Sequence, residues 1–323
     1  MAGRVLVVGS YNQDLVWEVD ALPAPGETRA GLAFRSGPGG KGFNQAVAAA
    51  RAGAATTFIG ALGDDTLAEG ARALARAEGI DARFETIAGI ATGTAGILVD
   101  AQGCNSIVVA LGANARLTVA HVDAQAEAFS NAAVVLAPLE SPLEAVRAAM
   151  RLGRAAGART ILNPAPMHAD LDAAALADVD LLTPNETEMA ELLARFGAGH
   201  VEAKTLRDRT DAELAALCAR LPVRTVVITL GDAGAVLAPG ARPGDDAPVT
   251  IARVPAAVVR AIDTTGAGDA FNGALAAAWA ACPDADPATL LPFAIRFAGL
   301  STERPGAAAA MPTRAELETR FAS

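Results

Sequence analysis

Val134-Val-Leu-Ala-Pro-Leu-Glu-Ser-Pro-Leu-Glu-Ala-Val-Arg-Ala-Ala-Met-Arg-Leu-Gly-Arg-Ala-Ala-Gly-Ala-Arg-Thr-Ile-Leu162 holds one complete unit of the architecture. Val134–Ala137 is a continuous apolar run, short and β-branched, which suits a strand buried on both faces. Ser141-Pro142-Leu143-Glu144 then carries a helix start, with Ser as N-cap, Pro at the first helical position and Glu at the third. Gly157 stands where a C-cap belongs, and Thr160–Leu162 is the next apolar run.

The same rhythm runs in both directions. Val5–Val8, Thr56–Ile59, Asp180–Leu182 and Val226–Thr229 are further apolar runs. Thr183-Pro-Asn-Glu186 and Thr210-Asp-Ala-Glu213 repeat the helix start, and Gly53 and Gly197 repeat the C-cap. Alternating strands and helices predict an α/β fold with a mainly parallel sheet and helices on both faces. Two segments break the rhythm. Residues 12–36 carry an alternating patch (Leu15, Trp17, Val19) followed by Pro23, Pro25 and Gly26. Residues 94–111 read as a hairpin, Ile97-Leu-Val99 and Ile107-Val-Val109 around Asp100-Ala-Gln-Gly103. Together they predict one small antiparallel sheet projecting from the main body. Residues 239–248 read as a surface loop. No repeat and no long linker is present, so residues 1–323 are expected to form one domain.

Composition narrows the function classes. Of 323 residues, 52% are apolar and 19% charged, which excludes a disordered or coiled-coil chain. The formal charge is 26 − 36 = −10, which argues against a nucleic-acid or anionic-membrane surface. Mean hydropathy is +0.32, but the apolar content is mostly Ala and no membrane-length run is free of charges. The N-terminal run at Val5–Val8 is too short for a signal peptide and reads as the first strand. Cys104, Cys218 and Cys282, like His121, His168 and His200, are too scattered for a disulfide framework or a zinc site. That pattern suits a reducing, cytoplasmic setting.

The strongest chemical signal is Asp263-Thr-Thr-Gly-Ala-Gly-Asp-Ala-Phe-Asn-Gly273. Gly266 and Gly268 precede a helical pattern, so main-chain N–H groups and the positive end of the helix dipole converge on one point. Asp269 beside such an anion hole would repel a phosphate. It makes sense as a general base taking a proton from an attacking hydroxyl. The stretch alone fits a plain N-cap equally well.

Ser36-Gly-Pro-Gly-Gly-Lys-Gly-Phe-Asn-Gln45 is a second glycine-rich loop. It fails the Walker pattern, with Arg35 in the first place and Gly42 in the last, and it lacks a dinucleotide register. Lys41 and Asn44 at a helix start suit a small polyol; a solvated Lys on a simple loop is the bland reading. Asn12 and Asp14 follow the first strand, where an open parallel sheet places its ligand crevice, and can bond vicinal hydroxyls. Asn185 and Glu188 are three apart at a helix start and can face waters around Mg²⁺. Read alone, that stretch is a capped acidic helix.

Seven blocks together resemble the ribokinase family of carbohydrate kinases (the PfkB type). They are Gly9-Ser-Tyr-Asn-Gln-Asp14, Gly39-Gly-Lys-Gly-Phe-Asn-Gln45, Leu139-Glu-Ser-Pro-Leu143, Asn163-Pro-Ala-Pro166, Thr183-Pro-Asn-Glu-Thr-Glu188, Thr229-Leu-Gly231 and Asp263–Gly273. The resemblance implies a three-layer α/β/α sandwich with a β lid from about 12–36 and 94–111, often used as a dimer clasp. It implies that Asn12, Asp14, Gly40, Lys41, Asn44 and Glu140 bind sugar. Asp269 is then the base, with Gly266, Ala267 and Gly268 as the anion hole. Asn185, Thr229, Gly231, Gly234 and Gly268 meet ATP, and Glu188 meets Mg²⁺ through water. Asp263, Thr265, Ser301, Arg304 and Gly306 ring a K⁺, mostly through the main chain, with Ala310 where the family has a serine ligand.

The first two blocks and Glu140 resemble the ribose-phosphorylating members. The implied reaction is ATP-dependent phosphorylation of the primary hydroxyl of D-ribose to D-ribose 5-phosphate. Deoxyribose, a fructose-type sugar or pseudouridine is the nearest alternative acceptor. A nicotinamide-dependent oxidoreductase is opposed by the failed dinucleotide register, and a non-catalytic sugar sensor by the presence of Asp269. A serine hydrolase lacks its G-x-S-x-G elbow.

Overall fold

In chain order the elements of the fold, a computed structural model describing residues 3–197, 199–242 and 251–322, begin with β1 (Arg4–Val8), β2 (Asn12–Glu18), β3 (Ala33–Gly39), α1 (Lys41–Arg51), β4 (Ala55–Leu62), α2 (Thr66–Ala77) and β5 (Asp81–Thr86). There follow β6 (Thr94–Val99), β7 (Asn105–Ala110), α3 (Val119–Asp123), α4 (Ala126–Ser130), β8 (Val134–Ala137), α5 (Leu143–Ala155), β9 (Arg159–Leu162), β10 (Leu181–Leu182) and α6 (Glu186–Arg195). The chain continues through α7 (Asp211–Cys218), β11 (Thr225–Thr229), β12 (Ala235–Pro239), β13 (Ala252–Val254), α8 (Ala267–Ala281), α9 (Pro287–Ser301) and α10 (Arg314–Arg320).

Among the described residues, nine strands form the large sheet in the order β13-β12-β11-β10-β9-β8-β1-β4-β5. It is parallel except at the β11-β12-β13 edge. The continuous apolar runs follow from burial on both faces. Val5 and Val7 of β1 join a core with Phe43 of α1, Leu275 of α8 and Phe297 of α9. Leu6 and Val8 join a second core with Val146 and Met150 of α5 and Leu192 of α6. These are the expected three layers. No helix among the described residues is long and apolar enough to cross a membrane.

Four strands, β3-β2-β6-β7, make the small sheet. The β6–β7 hairpin turns where expected, with the Asp100 carboxylate accepting from Gln102 N and Cys104 N and with Gly103 at φ 80°. One expectation is corrected, because the sheet is not wholly antiparallel: β2 and β6 run parallel. Each leaves a strand of the parallel large sheet, β1 and β5, so the two depart in the same direction. β3 also continues to Gly39, beyond the expected edge at 36.

Two caps differ from expectation. Pro142, with an extended ψ of 132°, is the N-cap of α5, and Ser141 caps nothing. Asn185, not Thr183, caps α6, because Pro184 keeps the chain extended one residue longer. Thr210 and Glu213 form the expected capping box, and Gly53, Gly157 and Gly197 take the left-handed positions after their helices. Of the expected loop at 239–248, Pro239 closes β12 and residues 243–248 lie outside the described residues.

Candidate active site

The turn before α8 needs one of its two glycines and leaves room for a side chain at the other. Gly266 has φ 76°, and a Cβ on Gly268 would project into open space. No side chain caps the helix. Ala267 N makes a long bond to Thr264 O, 3.2 Å, while the Gly268 and Asp269 amides have no acceptor within the helix. That is a site for an anion.

Asp269 lies one step behind it, only 6% exposed. Its Oδ2 accepts from Asn44 Nδ2 at 2.9 Å and its Oδ1 from Gln45 Nε2 at 3.0 Å. It is therefore not an N-cap. Burial raises its pKa above the usual carboxylate value; Lys41, Asn44 and Gln45 oppose that rise, and Glu140 adds to it. Asn44 and Gln45 reach it because α1 sits hard against the end of β1. A Cβ on Gly40 (φ 85°) would stand 2.6 Å from Asn12 N, and one on Gly42 2.6 Å from Ser10 N. Glycine is needed at both for the first turn of α1 to enter the crevice.

Glu140 Oε2 accepts from Lys41 N at 2.9 Å and from Ser10 Oγ at 2.5 Å. Asp14 lies on β2, opposite Gly37, with its carboxylate against Gly39. Burial, then the nearby Glu140 and Asp269, push its pKa up to about 7, although Arg35 lowers it. Burial also opposes the charge on Lys41, but Asp269, Glu140 and Glu188 outweigh it and hold the ammonium protonated. Asn12 is buried, its Oδ1 accepting from Asn114 Nδ2 at 2.9 Å.

Two cavities meet at the 266–268 turn. One, of about 230 Å³, is lined by Lys41, Glu188, Asn272 and Asp269. The other, of about 590 Å³, is lined by Gly231, Gly234, Val259, Ile295 and Phe271. Asn185, Thr229, Ala267 and Gly268 border both. Gly234 (φ 88°) is pressed so close to β13 that a Cβ would meet Val254 O at 2.1 Å. Asn185 and Glu188 lock each other in a capping box, with Asn185 N donating to Glu188 Oε2 and Asn185 Nδ2 to Oε1, each at 2.9 Å. Burial raises the Glu188 pKa, while the Asn185 amide and Lys41 oppose it.

The donor set suits Mg²⁺. This ion keeps several waters and takes one or two carboxylates plus substrate phosphates. Glu188 supplies one carboxylate beside the shared turn, and no cluster of three or more metal-binding side chains occurs among the described residues. For K⁺ the fit is leaner. Asp263 accepts from Thr265 N (2.9 Å) and Gly306 N (2.8 Å), which joins three of the five residues. Ser301 Oγ donates to Ala298 O, and Arg304 pairs with Glu316. Ala310 is buried and brings no side-chain oxygen. What remains is Asp263 and main-chain carbonyls, which are suitable K⁺ ligands.

The crevice thus unites Asp14, Lys41, Asn44, Glu140, Glu188 and Asp269 from five separate stretches of chain. Gln45, Asn163 and Asn272 lie inside the blocks quoted above but have no role assigned there, and Asn114 lies outside them. Each is a buried amide in an apolar surrounding, and that mismatch was the available signal.

The profile of the pfkB family carbohydrate kinases matches residues 2–314. A ribokinase of Haemophilus influenzae is 35% identical over 317 residues, 98% of this chain and 97% of that protein. A deoxyribokinase of Salmonella typhi is 33% identical over 313 residues, 96% of this chain and 95% of that one. The structure of Arabidopsis thaliana ribokinase complexed with ribose and ATP is similar, with a TM-score of 0.82 at 29% identity, covering 99% of this chain and 98% of that one. Family profile, relatives and fold agree with the crevice built above: the chain belongs to the pfkB family of carbohydrate kinases.

Proposed function

We propose that this kinase moves the γ-phosphoryl group of ATP to the primary hydroxyl of D-ribose, giving D-ribose 5-phosphate. The observation that carries the reading is Asp269, buried and amide-bound, facing the same small polar cavity as Lys41 and the Gly268 turn. ATP occupies the larger cavity, between Gly231, Gly234 and Phe271, with its phosphates running to Asn185 and the 266–268 turn. The sugar lies between Asn12, Asp14, Gly40, Lys41, Asn44 and Glu140. Asp269 takes the proton of the primary hydroxyl as its oxygen attacks phosphorus and the bond to the leaving ADP oxygen breaks.

Charge spreads over the phosphoryl oxygens in that transition state, so positioning and electrostatics dominate. The Gly268 amide and the Lys41 ammonium oppose it; one such donor is worth roughly 3–4 kcal/mol. Mg²⁺, arriving with ATP and held beside Glu188, supplies further neutralisation. The small sheet acts as a lid on residues 1–323 taken as one domain, and keeps water from competing as acceptor. Its exposed face, Trp17, Phe34 and Val108, is the clasp of a homodimer. Asp263 and the main-chain carbonyls near Gly306 would hold K⁺, which would supply a fixed positive charge beside the turn before the anion hole. The cytoplasm supplies ATP and keeps Cys104 and Cys282, both exposed, reduced.

ADP release measured over a panel of sugars and nucleosides tests the reading. D-ribose is expected to give the highest kcat/KM. A preference for 2-deoxyribose or a nucleoside overturns the assignment of ribose, and ADP release with no acceptor dependence overturns sugar kinase activity.

A further inference from the structure

Behind Asp269 the structure holds a closed ring of hydrogen bonds through four other side chains. Gln45 Nε2 donates to Asp269 Oδ1 (3.0 Å) and to Asn163 Oδ1 (3.1 Å). Asn163 Nδ2 donates to Thr183 O (3.1 Å), and Thr183 Oγ1 to Asn272 Oδ1 (2.6 Å). Asn272 Nδ2 donates to Gly268 O (2.8 Å), the residue next to Asp269. Every side chain in the ring is buried.

The ring's direction follows from its two carbonyls, which only accept. Gly268 O requires the amino end of Asn272, which turns Asn272 Oδ1 towards the Thr183 hydroxyl. Thr183 O requires the amino end of Asn163, which turns Asn163 Oδ1 towards Gln45. Gln45 must then present its amino group and commits both hydrogens, one of them to the base. Its own Oε1 is left buried with no partner among the described residues. An orphaned buried carbonyl costs stability. A glutamine in the middle of an Ala- and Val-rich buried helix is thus kept against stability, for the donor it aims.

We infer that Gln45 is a positioning residue for the phosphoryl-transfer step: through Asn163, Thr183 and Asn272 it orients the Asp269 carboxylate, leaving its free lone pairs to the sugar hydroxyl. The inference rests on the reading of Asp269 as the base. Gln45 meets no substrate in it; it acts through Asp269. Its donor also favours the ionised carboxylate over the protonated one. The charged groups facing Asp269 from the neighbouring elements are Lys41 on α1, Asp14 on β2, Glu140 after β8 and Glu188 on α6, and all stay in place when Gln45 changes.

The experiment is the pH dependence of kcat, with sugar KM, for Gln45→Met, Gln45→Glu and Asp269→Asn. Gln45→Met keeps the volume and loses the donor. It is expected to lower kcat near neutrality about 10-fold, move the acid limb about one pH unit upward and leave sugar KM within about twofold. Gln45→Glu keeps the shape and adds a second carboxyl, so its acid limb moves upward at least as far; it decides the matter if the Met variant does not fold. An unshifted limb with kcat within about twofold of the parent overturns the inference. Asp269→Asn separates the two readings. If it stays active, the base assignment fails. If it is inactive while Gln45→Met behaves like the parent, only the role of Gln45 fails.

Discussion

Asn44 and Asp269, 225 positions apart in the chain, are joined by a 2.9 Å hydrogen bond from Nδ2 to Oδ2 between two buried side chains at the edge of the small polar cavity. The bond needs the first turns of α1 and α8 to pack almost in contact. Gly273 permits it: a Cβ there would stand 2.4 Å from Gln45 O and 2.5 Å from Ala48 Cβ. The Asp269 carboxylate is therefore placed by backbone proximity first and by amides second.

Asp269→Ala removes the carboxylate proposed as proton acceptor and leaves the other proposed sugar-binding side chains in place. kcat is expected to fall by about 10² or more with little change in sugar KM. Steady-state ADP release checks it, and near-normal kcat refutes the assignment.

Gly273→Val forces α1 and α8 apart. It is expected to cost about 1–3 kcal/mol of stability and to lower kcat, because Asn44 and Gln45 withdraw from the carboxylate. Thermal melting and kcat should fall together; a variant with the parent's melting temperature and rate speaks against this packing.

Asp14 carries a pH signature. Its folded pKa of about 7 lies above the ordinary value of 3.8, so the folded chain holds a proton that the unfolded chain releases. Stability is complete below about pH 4 and is lost as pH rises to about 7. Asp14→Asn removes that loss. The unliganded variant should melt higher than the parent at pH 8, on the order of 5 °C, with no gain at pH 4. Its sugar KM at pH 8 should rise roughly 10- to 100-fold, since hydrogen bonds to a carboxylate are lost. Equal melting at both pH values argues against the raised pKa.

The exposed face of the small sheet pairs Trp17 with Phe34, ring centres 5.1 Å apart, and carries Val108 two strands away on β7, at 72% exposure. Phe34→Lys with Val108→Glu should convert a dimer to a monomer in light scattering. A parent that is monomeric at micromolar concentration rules out the clasp.

Cations separate two expectations. Chelating Mg²⁺ should abolish ADP release, because the phosphates lose their counter-ion. Exchanging K⁺ for Na⁺ should slow it only a few-fold, since Ala310 leaves the proposed K⁺ site one side-chain oxygen short. Full activity in EDTA contradicts the role given to Glu188.

Much of this molecule is written locally. Thr210 with Glu213 and the left-handed glycines after three helices act through neighbours a few positions away, so a one-dimensional reading finds them; the glycines around Lys41 and Asp269 stand out as a motif, but what requires them is distant backbone, Ser10 and Asn12 against Gly42 and Gly40, and Gln45 against Gly273. Even there a single extended proline moved the start of α5 from Ser141 to Pro142. The parallel pairing of β2 with β6 was not legible, because it depends on the directions in which β1 and β5 deliver the chain.

The apolar runs, the Thr210–Glu213 capping box and the chemistry-bearing blocks were determined by the order of residues alone. Which amides hold Asp269, and why Asp14 titrates near neutrality, were decided only in three dimensions. Gln45 finds Asn163 across 118 positions, and Asp14 feels Glu140 and Asp269 from opposite parts of the chain. Hydrogen bonds and desolvation act over a few ångströms of space, and separation along a chain carries no measure of that distance.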